Sequence, residues 1–283
     1  MSEKKKVIIN ADDFGLTHSV NRAIIDVYKA GNLTSTTLMV NMPGTNDAVQ
    51  LAEANKGLSV GLHFCITEGK PLSVCPSLTD SEGDFLSRSS LIKKLIGGKI
   101  NAEELMGEFL AQLEKFNSFG LPITHVDSHQ HVMMLPPVIN AAKQILQLYR
   151  LPIRVVNPIK PYLYPGFSRP KKSLKQISNY CLSLNVKRVY KNIGNNYLCS
   201  IHDFPVTELI EVQNYHQLMS RFSSGNLIEL MVHPYILEND VLKLYENKLE
   251  SKLPFLKLCE QEYNILSSGN HFSDYELTNF SLR

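Results

Sequence analysis

Short apolar runs rich in β-branched residues alternate along the chain with longer segments in which apolar residues recur every three or four positions. The short runs predict buried strands, and the longer segments predict helices with one apolar face. The predicted strands are 6–10, 35–40, 58–64, 123–129, 152–157 and 227–233. The predicted helices are 19–31, 46–55, 102–120 and 136–150, with a short helix expected within 78–102. This alternation predicts right-handed βαβ units and a mainly parallel sheet.

The region 160–200 interrupts the alternation, since it is rich in Lys, Ser, Tyr and Asn. We interpret it as an insertion or lid rather than as a second domain. The chain of 283 residues is long enough for one large α/β domain, and a hydrophobic fraction of 43% provides a sizeable core. The sequence therefore predicts a single α/β domain over 1–283 that contains this insertion.

Several protein classes do not fit the sequence. No apolar run approaches the roughly 18 residues of a membrane span, and the basic N-terminus lacks the apolar segment of a signal peptide. The five cysteines are odd in number and lack the CxxC spacing of zinc sites. We expect reduced, mostly buried thiols in a cytoplasmic protein without a membrane partner.

Charge is unevenly distributed although the net charge is only +2. Asp and Glu are absent between Asp127 and Asp203, whereas Lys and Arg recur through that interval. Such a pattern is typical either of a basic wall that faces an anionic substrate or of a solvated surface that offsets acidic regions elsewhere. The interval lacks the interleaved aromatic residues of single-strand nucleic-acid binders, so we expect no nucleic-acid partner.

Polar residues recur where the predicted strands end. They are Asp12, Asp13, Asn41, His63, His129 and His233. The carboxyl ends of parallel strands meet on one face of a barrel or open α/β sheet, and active sites form there. The repetition at several strand ends therefore predicts a functional site on that face.

The adjacent carboxylates of Asp12 and Asp13 suggest metal chemistry. Two neighbouring carboxylates stay ionised only beside a cation or hydrogen-bond donors. A divalent metal on one of them would leave the other as a general base. The alternative is that they cap the helix expected to start near Ser19.

The segment ITHVDSHQHVMMLPP (123–137) concentrates further metal-type ligands. Residues two apart in a strand share a face, so His125, Asp127, His129 and, where the strand continues, His131 are expected to point the same way. Neutral imidazoles with a carboxylate suit Zn, Co, Ni or Mn, and a carboxylate beside a ligating histidine can fix its tautomer. The alternative is a polar strand end whose histidines are satisfied in the core.

Five segments carry a resemblance to a known family. They are NADDFGLTHSVNRAI, GNLTSTTLMVNMP, VGLHFCITEGKPL, THVDSHQHV and ELMVHP, in this order between residues 10 and 234. The chain resembles the YdjC-like carbohydrate deacetylases, which include the chitooligosaccharide deacetylase. The resemblance implies a distorted (β/α) barrel with mainly parallel strands, related to the polysaccharide deacetylases. It also implies metal-dependent removal of an N-acetyl group from a mono- or oligosaccharide, and a homodimer.

The resemblance also assigns roles to individual residues. Asp13, His63 and His129 match the metal ligands. Asp12 matches the base that deprotonates the attacking water, and His233 matches the acid that protonates the departing amine. Mg²⁺ is the ion most expected, and Zn²⁺ occurs in relatives. Around the ligands or the substrate we expect His125, Asp127, His131, Asn41, Arg154 and Glu229.

The chain departs from the family pattern at Gln130 and Met133, where the family often has histidine, and at Tyr235, where it often has glycine. These departures affect the expected substrate more than the expected ligands. Two other functions remain open. One is a metal phosphoesterase, which the basic interval would suit but which often needs a second metal and more acidic ligands. The other is a sugar-binding relative that has lost catalysis.

Overall fold

A parallel sheet forms the centre of the fold. The computed structural model describes residues 4–157, 170–203 and 209–280. The strands are β1 (Lys6–Phe14), β2 (Ser35–Leu38), β3 (Ser59–Phe64), β4 (Ile123–Ser128), β5 (Tyr197–Ser200), β6 (Leu227–Val232) and β7 (Glu276–Thr278). In the sheet they lie in the spatial order β4-β3-β2-β1-β6-β5, and β7 also pairs with β1. All pairings between these strands are parallel, as the sequence predicted.

Helices connect most of the strands. The predicted helices correspond to the first five in the structure, although their ends shift by a few residues. Among the described residues the helices are α1 (His18–Lys29), α2 (Thr45–Ala54), α3 (Arg88–Ile96), α4 (Ala102–Ser118), α5 (Pro136–Leu148), α6 (Pro170–Val189), α7 (Val212–Ser220), α8 (Asn239–Leu244) and α9 (Leu249–Leu266). None of them is both long and apolar enough to cross a membrane.

The segment 152–157, which the sequence predicted as a strand, lies between the two edges of the sheet. On one side the Arg154 N–H donates to the Val126 carbonyl in β4 (2.9 Å). On the other side the Asn195 side chain, just before β5, hydrogen-bonds the N–H and the carbonyl of Val155 (2.8 and 3.1 Å). At Val155 one side chain thus takes the place of a backbone partner. The segment connects β4 to the residues just before β5 through isolated parallel bridges at Ile153.

The region 160–200 lies only partly within the described residues, since 158–169 are outside them. The part that is described contains α6 and β5. Because β5 pairs with β6, this part contributes to the central sheet. The lid role of the region and the single-domain organisation stay predictions.

The cysteines mostly pack inside the fold, as expected. Cys65, Cys75, Cys199 and Cys259 are buried, whereas Cys181 on α6 is exposed. Burial raises the pKa of the Cys65 thiol to about 12, so this thiol stays neutral and behaves as a small apolar side chain.

Gly61 in β3 lets β3 and β4 approach closely beneath the polar strand ends. A Cβ at Gly61 would lie 2.5 Å from the His125 ring and 2.7 Å from the His125 carbonyl oxygen. That ring cannot easily withdraw, because it stacks on Phe280 with 3.6 Å between ring centroids. We expect Gly61→Ala to lower the free energy of unfolding by about 1–3 kcal/mol, measured by urea denaturation.

The matched control is Gly107→Ala in α4, where a Cβ would meet no atom within 4 Å. This change should raise the free energy of unfolding by roughly 0.5–1 kcal/mol, because alanine loses less backbone entropy in a helix. A Gly61→Ala variant as stable as the unmodified protein would contradict the steric explanation.

Candidate active site

A cavity of about 450 Å³ opens at the carboxyl ends of the strands. Its wall contains every residue that the family resemblance assigns to metal binding or proton transfer. They are Asp12, Asp13, His63, His129 and His233. These residues come from strands that are far apart in the chain. The sequence prediction that polar residues at the strand ends meet on one face therefore agrees with the position of this cavity.

Asp12 and Asp13 reach the same cavity because β1 is irregular at its end. Successive residues of a regular strand point to opposite faces, so adjacent aspartates would be separated. The register of β1 against β2 shifts between Ala11 and Phe14, and Asp13 has a φ of 67°. Bulges of this kind redirect side chains beside functional sites. Strand periodicity alone could not have predicted that both carboxylates face inward.

Asp13 is the centre of a compact donor cluster. Its Oδ1 lies 3.2 Å from His63 Nε2 and 3.0 Å from His129 Nδ1. The three donor atoms all lie within 4.8 Å of one another, and all three residues are buried. Donors that share one ion at about 2.1 Å are separated by roughly 3.0–3.5 Å, so the observed spacing fits a single divalent ion.

Asp127 fixes the orientation of His63. The Asp127 Oδ1 lies 2.6 Å from His63 Nδ1, which leaves His63 Nε2 facing Asp13. A carboxylate on the far nitrogen of a histidine is the usual way in which proteins orient a ligating imidazole. Burial disfavours a charged His63, but the Asp127 carboxylate outweighs burial and raises the pKa of this histidine to about 10.

Arg154 is surrounded by carboxylates. Its Nη1 and Nη2 each donate to Asp12 at 2.7 Å, and its Nε donates to Glu229 at 2.6 Å. The Nη1 also lies 2.6 Å from Asp127. Burial opposes ionisation of Asp12, yet the Arg154 guanidinium outweighs it and holds the pKa of Asp12 well below its usual range. Burial raises the pKa of Glu229 to about 7.

The balance of buried charge also fits a cation. Three buried carboxylates, those of Asp12, Asp127 and Glu229, contact the guanidinium of Arg154, and the buried Asp13 carboxylate faces His63 and His129 instead. Buried carboxylates are costly without positive charge nearby, and beside Asp13 a protonated His63, whose pKa is raised to about 10, provides that charge when no ion is bound. A divalent ion held by Asp13, His63 and His129 would supply it.

His233 lies on the wall of the same cavity, just after β6. Its backbone N–H donates to Glu262 Oε2 on α9 (2.8 Å), and its ring packs edge-on against the His202 ring at 4.9 Å. Burial is the main reason why the pKa of His233 is lowered, and neighbouring His202 adds to the effect. The Nδ1 of His233 has no hydrogen-bond partner among the described residues.

His131 reaches the cavity by a route that the sequence did not predict. The expectation that residues 125 to 131 alternate along a strand is wrong beyond Ser128, where β4 ends. Gln130 and His131 have φ angles of 51° and 59°, so the chain turns instead of continuing. Burial lowers the pKa of His131 to about 3, which leaves a neutral imidazole on the cavity wall.

The structure places two predicted residues elsewhere. His125 lies inside the fold against Gly61 and Phe280, and Asn41 donates to the carbonyls of Glu68 and Lys70 (both 3.1 Å). Neither residue lines the cavity. The expectation that they surround the ligands or the substrate stays a prediction. His125 lies too far down β4, and Asn41 is used to hold the loop after β3.

Sequence reasoning missed other residues of the cavity wall, above all His202. It follows β5, and its Nε2 lies 3.0 Å from Glu262 Oε2. If β5 had been predicted, His202 would have counted among the polar residues that follow strand ends. The wall also contains the cations Arg88, Lys175 and Lys252. In the basic interval between Asp127 and Asp203, Arg154 pairs with buried carboxylates and Lys175 lines the cavity. Neither a basic wall that faces the substrate nor a solvated surface describes the whole interval.

Tyr235 is the second missed feature, because only its departure from the family pattern singled it out. Its hydroxyl donates to Asp13 Oδ2 at 2.5 Å, and the side chain is fully buried. The phenol thus contacts the donor cluster directly.

Comparison with known proteins supports the resemblance. Residues 6–275 match the family described as YdjC-like protein. A carbohydrate deacetylase from Brevibacillus brevis is 32% identical over 279 residues, which cover 98% of each chain. A chitooligosaccharide deacetylase from Yersinia pestis is 39% identical over 153 residues, which cover 54% of this chain and 60% of that protein.

One solved structure matches almost the whole fold. It comes from Enterococcus faecalis V583 and is provisionally described as a cellobiose-phosphate cleavage protein. It is 25% identical, covers 98% of each chain and superposes with a TM-score of 0.73. The expected α/β fold is confirmed, and the family match extends over most of the sequence. The chain therefore belongs to the YdjC-like protein family.

Proposed function

We propose that this protein is a metal-dependent hydrolase that removes the N-acetyl group of an acetylated mono- or oligosaccharide of the chitooligosaccharide type. The observation that supports it best is the Asp13–His63–His129 cluster, with Asp12 and His233 on the wall of the same cavity. Relatives named carbohydrate deacetylase support the substrate class. The cytoplasmic location and the homodimer stay predictions from sequence.

The donor set favours an ion that accepts imidazole. Two imidazoles and one carboxylate suit Zn²⁺, Co²⁺ or Mn²⁺, whereas Mg²⁺ prefers oxygen ligands. We therefore propose that Zn²⁺-like ions bind more tightly here than Mg²⁺, although the family resemblance makes Mg²⁺ the first expectation. When bound, such an ion supplies Lewis acidity, which lowers the pKa of a coordinated water and polarises the acetyl carbonyl.

Asp12 is the proposed general base. Arg154 holds both of its oxygens, and Asn10 donates to Oδ1 at 3.0 Å, so the carboxylate has a fixed orientation and remains ionised. Each carboxylate oxygen has two lone pairs, and the one that these contacts leave free, on Oδ2, can accept the proton of the attacking water. The water oxygen then forms the bond to the acetyl carbon.

His233 is the proposed general acid. The step requires the protonated form of His233, which the lowered pKa makes a stronger acid, and the C–N bond breaks as the amine nitrogen takes that proton. A free sugar amine and acetate remain. The electron pair of the broken bond stays on that nitrogen. The contacts of His233 with Glu262 and His202 fix its position at the cavity wall.

A two-metal phosphoesterase fits the described residues less well. One further carboxylate–histidine group is Asp12–His63–Asp127, which shares His63 with the first cluster. Arg154 already pairs with both of its aspartates, so an ion there would have to displace that guanidinium. The His202–His233–Glu262 group also borders the cavity, but it offers a single carboxylate and contains the proposed acid.

The direct test is acetate release from N-acetylglucosamine oligomers. Chelator-treated protein should release no acetate, and Zn²⁺, Co²⁺ or Mn²⁺ should restore release at lower concentrations than Mg²⁺. Asp13→Ala should remove one of the three protein donors, so it should lose stoichiometric metal in calorimetry and at least about 100-fold of the activity.

The matched control is Asp274→Ala, which removes an exposed carboxylate far from the cluster in sequence. It should bind metal and release acetate as the unmodified protein does. Protein that releases no acetate but hydrolyses a phosphate ester would support the phosphoesterase instead. Metal-loaded protein that binds the sugar without hydrolysing any substrate would support the inactive relative.

Arg154→Lys tests how Asp12 is oriented. A lysine ammonium is a point charge and cannot reproduce the paired contacts of the guanidinium. We expect kcat to fall about 10- to 100-fold while KM changes little. This loss is smaller than the roughly 10²–10⁴-fold rate contribution of a positioned base, because Asp12 itself remains. Steady-state kinetics give both constants, and Arg22→Lys, at the exposed pair with Glu238, is the control. A raised KM with unchanged kcat would argue against this role.

A further inference from the structure

The two oxygens of Asp13 have different partners. Oδ1 faces His63 Nε2 and His129 Nδ1, whereas Oδ2 accepts the hydrogen bond of the Tyr235 hydroxyl. One oxygen is thus part of the donor cluster and the other is occupied by a protein donor. A hydrogen bond of 2.5 Å between a hydroxyl and a carboxylate lies at the short, strong end of its range.

Tyr235 is held firmly in this position. It follows Pro234, which stiffens the chain after β6, and its N–H donates to the Cys259 carbonyl on α9 (3.2 Å). Its ring packs edge-on against Phe255, also on α9, with 6.1 Å between centroids. Because backbone and ring are both anchored on α9, the hydroxyl is presented to Asp13 from a rigid support.

The simpler explanation is that Tyr235 only fills space. Phenylalanine would fill the same space without the cost of burying a hydroxyl, which is offset only when the hydroxyl finds a partner. The partner here is a carboxylate of the donor cluster.

We propose that Tyr235 is a positioning residue that restricts Asp13 to metal ligation through Oδ1 alone. This inference rests on the metal site of the proposed function. With Oδ2 engaged, Asp13 is fixed as a one-oxygen ligand between two imidazoles. That arrangement suits small ions and disfavours ions such as Ca²⁺, which readily accept both oxygens of a carboxylate.

The test is metal binding by titration calorimetry on the full-length protein, with Tyr235→Phe as the variant. The probe is whichever of Mg²⁺, Mn²⁺, Co²⁺ and Zn²⁺ the unmodified protein binds most tightly, with Ca²⁺ as the second probe. Loss of the hydroxyl should weaken the first ion about 10-fold or more, as is typical when a partner of a ligand is removed. The affinity for Ca²⁺ relative to the first ion should rise.

Tyr245→Phe is the matched control, since Tyr245 is a buried tyrosine of the same cavity wall and is not among the hydrogen-bond partners of Asp13 in the described residues. It should bind the first ion as the unmodified protein does.

Four outcomes would overturn the inference. Unchanged affinities in Tyr235→Phe would show that the hydroxyl does not position Asp13. An equal loss in Tyr245→Phe, or for Ca²⁺ and the small ion alike, would indicate general loosening of the cavity. If unmodified protein and Asp13→Ala bind metal equally, the proposed metal site itself fails and the inference fails with it.

Discussion

The Arg154 guanidinium, buried among the carboxylates of Asp12, Asp127 and Glu229, is the interaction on which the rest of the site depends. Charges of this kind are stable away from water only when each has a close partner. Arg154 lies on the segment that bridges β4 and the residues just before β5, so the same residue that balances the charges also lies between the two edges of the sheet. Folding of this edge and assembly of the site are therefore coupled.

From Arg154 the arrangement extends outward in two directions. Asp12 is turned toward the cavity and kept ionised, and Asp127 is placed where it orients His63. His63 in turn faces Asp13, which the bulge at the end of β1 brings beside Asp12. Base and proposed ligands are thus linked by one continuous set of hydrogen bonds.

The sequence predicted the parts of this arrangement that follow from strand direction. In parallel strands the carboxyl ends meet, so Asp12, Asp13, His63 and His233 could be assigned to one site without coordinates. The family resemblance then assigned the roles of ligand, base and acid, and these roles stay predictions. Asp127 and Arg154 were expected near the ligands, and the structure gives them defined partners.

Features that depend on departures from regular structure were not predictable. The left-handed turn at Gln130 and His131 breaks the alternation on which the strand-face argument depended. Segment 152–157 looked like a strand, but the Asn195 side chain takes the place of a backbone partner. The contact between Tyr235 and Asp13 joins residues that are 222 positions apart, and no local pattern indicates it.

The measurement that tests the central claim most directly is anomalous X-ray diffraction from crystals of the zinc-loaded protein. One peak is predicted about 2.0–2.2 Å from Asp13 Oδ1, His63 Nε2 and His129 Nδ1. A peak at the His202–His233–Glu262 group instead, with none at Asp13, would contradict the assignment of the ligands and with it the roles of Asp12 and Tyr235.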